Sequence, residues 1–186
     1  MNIVVYCGAN KGNNPIYERA TIAVGEWIAR NNNTLVYGGG RSGLMGILAD
    51  TVIASGGKAI GIIPTFLKER ELAHPHLTEL IIVDTMDERK QKMLDLGNAC
   101  IALPGGPGTL EEITEVVSWS RLGQNNNPCI FYNENDYYRP IQQFYDDMVQ
   151  NDFLTVEDRS KILFSNSVDE IHSFITDYVP PIIRTY

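Results

Sequence analysis

The chain has 186 residues, 44% of them hydrophobic and 20% charged, with a formal net charge of -8. That length suits one domain over residues 1–186 with a full core, and the acidic balance argues against a nucleic-acid partner, which would call for basic patches. No apolar run approaches the roughly 18 residues of a membrane span, so no membrane partner is expected.

Residues 1 to 6 form a short apolar start without a basic leader, which reads as a first strand and not as a signal peptide. Cys7, Cys100 and Cys129 are odd in number and lack metal-ligand spacing. Reduced, buried thiols in a cytoplasmic protein are expected, with Cys7 as a nucleophile the weaker alternative.

Residues 2 to 6 (NIVVY) are a β-branched run closed by Cys7-Gly8, the pattern of a buried parallel strand ending in a ligand-facing turn. Pro15 then opens a helix with Ile16, Ala20, Ala23, Val24, Trp27 and Ile28 at helical spacing. Residues 34 to 37 (TLVY) form a second strand that runs into Gly38-Gly39-Gly40-Arg41-Ser42-Gly43 and a further helix. This matches a G-x-G-x-x-G dinucleotide fingerprint, but the third strand (residues 58 to 63) ends in Pro64-Thr65 where an acidic ribose ligand belongs. A full dinucleotide site is therefore not expected, and no cofactor is assigned.

Residues 64 to 76 read as a polar, proline-punctuated connection of the kind that serves as a functional loop, carrying Lys68, Glu69, Arg70 and Glu71. His74 and His76 have no partner residues at metal-ligand spacing, so no metal is assigned. A fourth strand (80 to 83) leads through Met86-Asp87-Glu88-Arg89-Lys90 into a helix. Cations near a helix start oppose the dipole and suit an anion facing them, although a solvated pair is the blander alternative.

After a fifth strand come Leu103-Pro104-Gly105-Gly106-Pro107-Gly108-Thr109-Leu110-Glu111-Glu112, with a helix beginning at Leu110. Glycines let the backbone approach a ligand, and the first N–H groups of the helix carry partial positive charge, so the loop is built to hold a phosphate. It lacks the Lys-Ser/Thr of a triphosphate loop, and a monophosphate suits it better. Thr109-x-x-Glu112 also reads as a capping box, which would reduce Glu112 to closing the helix end. A sixth strand (128 to 132), a helix over 138 to 149, a short strand (162 to 164) and a helix opened by Ser167-Val168-Asp169-Glu170 complete the chain.

Strand and helix alternate throughout. The expected architecture is α/β, a doubly wound, Rossmann-like parallel sheet with helices on both faces and a strand order of the 3-2-1-4-5 kind. Every unusual segment follows a strand, so the fold gathers them at one edge.

The pairing of Met86-Asp87-Glu88-Arg89-Lys90 with residues 104 to 112 resembles the M-x-x-R-K and P-G-G-x-G-T-x-x-E motifs of the Lonely Guy family, the cytokinin riboside 5′-monophosphate phosphoribohydrolases, often labelled lysine decarboxylase-like. The similarity extends through residues 6 to 9, 36 to 40, 43 to 46 and 61 to 64. The resemblance implies hydrolysis of the N-glycosidic bond of AMP or an N6-substituted AMP to free base and ribose 5-phosphate. It implies Arg89 and Glu112 as the catalytic pair, and Lys90, Gly105, Gly106, Gly108, Thr109, Glu111 and Glu71 around the nucleotide, with Gly39 and Gly40 counted among the substrate-binding residues. A homodimer is implied as well. Asp87 and Pro107 depart from the family pattern, which more often has histidine and an aromatic at these places. The competing functions are a pyridoxal-phosphate decarboxylase, which needs a Schiff-base lysine, and a non-catalytic nucleotide-binding or carrier module.

Overall fold

The computed structural model describes residues 1–71 and 73–183, apart from the side chains of Glu69 and Glu71. Seven parallel strands form one sheet: β1 (Asn2–Tyr6), β2 (Thr34–Tyr37), β3 (Lys58–Pro64), β4 (Glu79–Val83), β5 (Ala99–Ala102), β6 (Cys129–Tyr132) and β7 (Ile162–Ser165). Their order is β4-β3-β2-β1-β5-β6-β7. The doubly wound plan is as expected, with one correction to the strand order. The fourth strand lies outside β3 and not beside β1, whose second neighbour is the fifth. The winding therefore reverses between β1 and β5, and in such sheets the crevice beyond that reversal binds ligands.

β1 is buried on both faces from Ile3 to Tyr6, which is why its sequence runs apolar without alternation. Ile3, Val5, Leu35, Tyr37 and Ile101 face one core, shared with α1 (Pro15–Arg30), α2 (Gly43–Ala54) and α8 (Val168–Thr176). Val4, Tyr6, Val36, Cys100 and Phe131 face the other, shared with α4 (Met86–Leu96), α5 (Pro107–Arg121) and α6 (Arg139–Gln150).

Two α-helices were not expected. Thr65–Glu71 forms a helix, α3, inside the segment read as a loop, and the five-residue α7 (Val156–Ser160) precedes β7. The chain after α3 is pinned to the glycine loop, where His74 N–H donates to the Gly39 carbonyl (2.9 Å) and Ala73 bridges to Gly40. His74 itself is buried and hydrogen-bonded, Nε2 to Asp50 Oδ1 at 2.9 Å, while its Nδ1 accepts from His76 N–H. Among the described residues no helix is long and apolar enough to cross a membrane.

Candidate active site

A cavity of about 540 Å³ opens beyond the carboxyl ends of β1, β2 and β5, at the point where the winding reverses. That volume suits a nucleotide-sized ligand. Its wall combines the Cys7 to Gly12 loop, Gly38, Arg89, the 104 to 109 loop, Glu111 and Glu112.

Arg89 is presented by α4, whose start is fixed by Thr85: its hydroxyl accepts the Glu88 N–H, and Glu88 in turn accepts from Asp84 N–H. The guanidinium is buried at 7% exposure and donates from Nε to the Ile62 carbonyl (3.1 Å) and from Nη2 to the Gly38 carbonyl (3.2 Å). A Cβ at Gly38 would lie 1.9 Å from Nη2, so this position is glycine to admit the arginine. Gly43, at φ +61°, likewise packs on the backbone of Ala9, where a Cβ would come within 2.2 Å. Gly38 and Gly43, the first and last glycines of the fingerprint, thus serve close packing. Gly39 and Gly40 lie off the cavity wall, their carbonyls taken by His74 N–H and the Tyr37 hydroxyl.

The phosphate-type loop shows a consistent polarity. The carbonyls of Leu103, Pro104, Gly105 and Gly106 accept from Tyr138 Oη, Gly8 N–H, Tyr137 Oη and Leu110 N–H respectively. The N–H groups of Gly105, Gly106, Gly108 and Thr109 have no acceptor among the described residues. Four carbonyls are occupied and four donors are free, the arrangement an anion requires at a helix N-terminus. A Cβ at Gly106 or Gly108 would meet nothing within 4 Å, so the protein's own packing does not demand glycine there and the backbone is open to the cavity.

α5 begins at Pro107 with Gly106 as its N-cap, not at Leu110. Thr109 is therefore the third helical residue and Glu112 the sixth, which removes the capping-box reading of Glu112. The sequence misled because Pro107 at the first helical position starts the helix earlier than Gly108 suggests. Freed from capping, Glu112 accepts no hydrogen bond among the described residues. Burial pushes its carboxyl from an ordinary 4.5 up to about 7. Arg89 and Lys90 pull in the opposite direction, and Glu111 and Glu115 add to the rise. Burial and the nearby Glu112 also raise the Cys7 thiol far above its usual range, which disfavours the thiolate that a nucleophile needs.

Lys90 is not on the cavity wall. Its ammonium is clamped between Glu111 Oε1 (2.7 Å) and Glu115 Oε2 (2.9 Å), joining α4 to α5 on either side of Glu112. Glu111, Gly105, Gly106, Gly108 and Thr109 do line the cavity. The Glu71 side chain lies outside the described residues. Residues missed by the sequence reading include Tyr17 and Tyr137 at the mouth and Met45 and Met93 in the wall. Helical spacing marks such residues only as core, and nothing local distinguishes a core face from a cavity face.

A family model described as "Possible lysine decarboxylase" matches residues 45–175. A cytokinin riboside 5′-monophosphate phosphoribohydrolase of Rhodococcoides fascians is 43% identical over 169 residues, 90% of this chain and 85% of the relative. The chain belongs to the Lonely Guy family. A family enzyme of the same name from Arabidopsis thaliana is 39% identical over 178 residues, covering 96% of this chain and 84% of that one. Among solved structures, the molybdenum cofactor binding protein of Rippkaea orientalis has a TM-score of 0.69 at 19% identity, over 94% of this chain and 96% of that chain. That likeness concerns the fold alone. The decarboxylase label finds little support in this Lonely Guy cavity. Among the described residues its one lining lysine, Lys11, is exposed and paired with Glu18 at 3.2 Å, whereas a Schiff-base lysine is activated by a desolvated or cationic setting.

Proposed function

We propose that this Lonely Guy protein hydrolyses the N-glycosidic bond of AMP-type nucleotides, N6-substituted ones included, giving free base and ribose 5-phosphate. One observation carries the reading: an unbonded carboxylate, Glu112, shares a cavity with four free loop N–H groups and a buried guanidinium. The loop holds the 5′-phosphate. Ribose then lies toward Glu112.

Breaking the C1′–N bond sends the electron pair to the base and leaves positive charge shared by C1′ and the ring oxygen. The Glu112 carboxylate stabilises that charge and takes a proton from the water that adds to C1′, while the base leaves with a proton from solvent. A guanidinium is in general a poor proton donor and a good electrostatic partner. Held by two carbonyls, Arg89 offsets the charge of Glu112 and does not act as an acid.

The 5′-phosphate should be required for turnover. Charge-assisted bonds to the loop are worth more than neutral ones, and adenosine cannot make them. Ribose 5-phosphate release from AMP, compared with ribose release from adenosine, is expected to show kcat/KM at least about 10²-fold higher for AMP, two such bonds at about 1.5 kcal/mol each. Equal values would assign the loop another role, and turnover of neither substrate would favour the alternative of a non-catalytic nucleotide-binding module.

The active unit in this reading is a single nucleotide-binding domain in a two-fold homodimer, the commonest symmetric assembly, with α4 and α5 at the interface. Light scattering at micromolar concentration should give twice the 20.8 kDa chain mass; a monomer would refute it. A cytoplasmic setting is supported by the three free, buried cysteines.

A further inference from the structure

The connection from β6 to α6 is built in an unusual way. Asn135 and Asp136 both adopt left-handed backbone conformations, at φ 54° and 57°, and neither is glycine. Asn and Asp are the side chains that take this conformation most readily, and the pair turns the chain sharply into α6. Immediately afterwards come two adjacent tyrosines, with Tyr138 N–H anchored on Asn133 Oδ1 at 2.7 Å.

Both tyrosine hydroxyls reach back across the sheet edge to the same loop. Tyr137 Oη donates to the Gly105 carbonyl at 2.5 Å, and Tyr138 Oη to the Leu103 carbonyl at 2.7 Å. The rings brace each other edge to face, with centroids 5.0 Å apart, and Tyr17 packs on Tyr137 at 5.6 Å. Main-chain donors hold the other two loop carbonyls, those of Pro104 and Gly106.

The Gly105-Gly106 peptide is the point where this matters. In a trans peptide the carbonyl of one residue and the N–H of the next point in opposite directions. Fixing the Gly105 carbonyl therefore fixes the Gly106 N–H. Two consecutive glycines place little steric restraint on rotation of that peptide plane, and a rotation would exchange a donor for an acceptor in front of an anion.

We propose that Tyr137 and Tyr138 are positioning residues that hold the Gly105 and Leu103 carbonyls away from the anion and so set the preference for a 5′-phosphate. The inference rests on the reading of the substrate given above. It assigns neither tyrosine to the chemical step, so loss of a hydroxyl acts on binding and not on bond cleavage.

Tyr137→Phe, Tyr138→Phe and the double variant separate this from a general packing role. Calorimetric titration with ribose 5-phosphate and, separately, with adenine is the direct measurement, with AMP kinetics alongside. Tyr137→Phe should weaken ribose 5-phosphate binding by about 5- to 20-fold, the loss of one hydrogen bond plus a misdirected carbonyl. The KM for AMP should rise in proportion, with kcat within about two-fold of wild type, the signature of lost uniform binding. Adenine affinity should not change. Tyr138→Phe should move the same quantities in the same direction, and because Tyr137 is 39% exposed, Tyr137→Phe preserves the core even if the buried Tyr138 variant folds poorly. Parallel losses for adenine and ribose 5-phosphate, or unchanged ribose 5-phosphate binding in both variants, would overturn the proposal while AMP hydrolysis by the wild type left the function intact. Wild-type protein that bound no ribose 5-phosphate and left AMP intact would overturn both.

Discussion

Glu112→Gln should abolish most turnover while making the protein more stable at alkaline pH. Gln cannot carry the charge that opposes the oxocarbenium-like state, nor accept a proton from water, so kcat for AMP should fall by about 10²-fold or more. The stability effect has the opposite sign. The Glu112 carboxyl rises from 4.5 to about 7 on folding, burial being the main cause. A group raised in this way contributes stability that is fully present below its unfolded value and is lost as pH rises through the folded one. Gln does not titrate, so the variant should gain on wild type by about 2 to 3 kcal/mol between pH 5 and pH 8. Denaturant unfolding at the two pH values measures this. In wild type the same ionisation should appear as kcat/KM rising with pH around 7, since the carboxylate is the active form. Near wild-type kcat in the Gln variant would move the chemistry to Glu111 or Glu115.

Arg89→Met should be the most damaging single change for fold and function together. It strips two buried carbonyls, Ile62 and Gly38, of their donors, at a cost of about 1 to 3 kcal/mol each. It also removes the strongest influence that lowers the Glu112 carboxyl, the charge of the guanidinium. Glu112 would then be mostly protonated at pH 7, and the rising limb of the kcat/KM profile should move to higher pH. With the cation and the anion both gone at neutral pH, a kcat loss of about 10²-fold or more is expected. Arg89→Lys keeps the charge but not the fork that reaches two carbonyls at once. The limb should therefore stay closer to 7 while kcat still falls. A Met variant with the wild-type limb would show that Arg89 does not govern the ionisation of Glu112.

All seven strands were legible because buried parallel strands are short runs of Val, Ile and their like between turn residues, as in NIVVY and KAIGII. The helix boundaries were less so. Pro107 and Gly108 read as loop by propensity, yet Pro suits the first helical position and the helix starts there. That shift of three residues decides the status of Glu112, since a capping residue and a cavity residue look alike in T-x-x-E. Ser167-x-x-Glu170, by contrast, does open a helix: Ser167 caps the Glu170 N–H, although Glu170 turns to the Ser165 hydroxyl. Pro64 and the charges after it hid α3, and α7 is too short to show a period.

What sequence could not reveal were pairings made by the winding of the sheet. Lys90 looked like a ligand for an anion, and its partners Glu111 and Glu115 lie 21 and 25 residues away. Tyr137 reaches Gly105 from 32 residues further on. The glycine fingerprint was legible as a motif but not in its use, because its first glycine makes room for Arg89, 51 residues distant.

The most direct test is product analysis. Purified protein should be incubated with AMP and with an N6-substituted AMP, and both free base and ribose 5-phosphate quantified over the same interval. Equal amounts of the two products, formed with turnover and suppressed in Glu112→Gln, are expected. Unchanged nucleotide, or adenosine and inorganic phosphate in place of base and ribose 5-phosphate, would contradict the account.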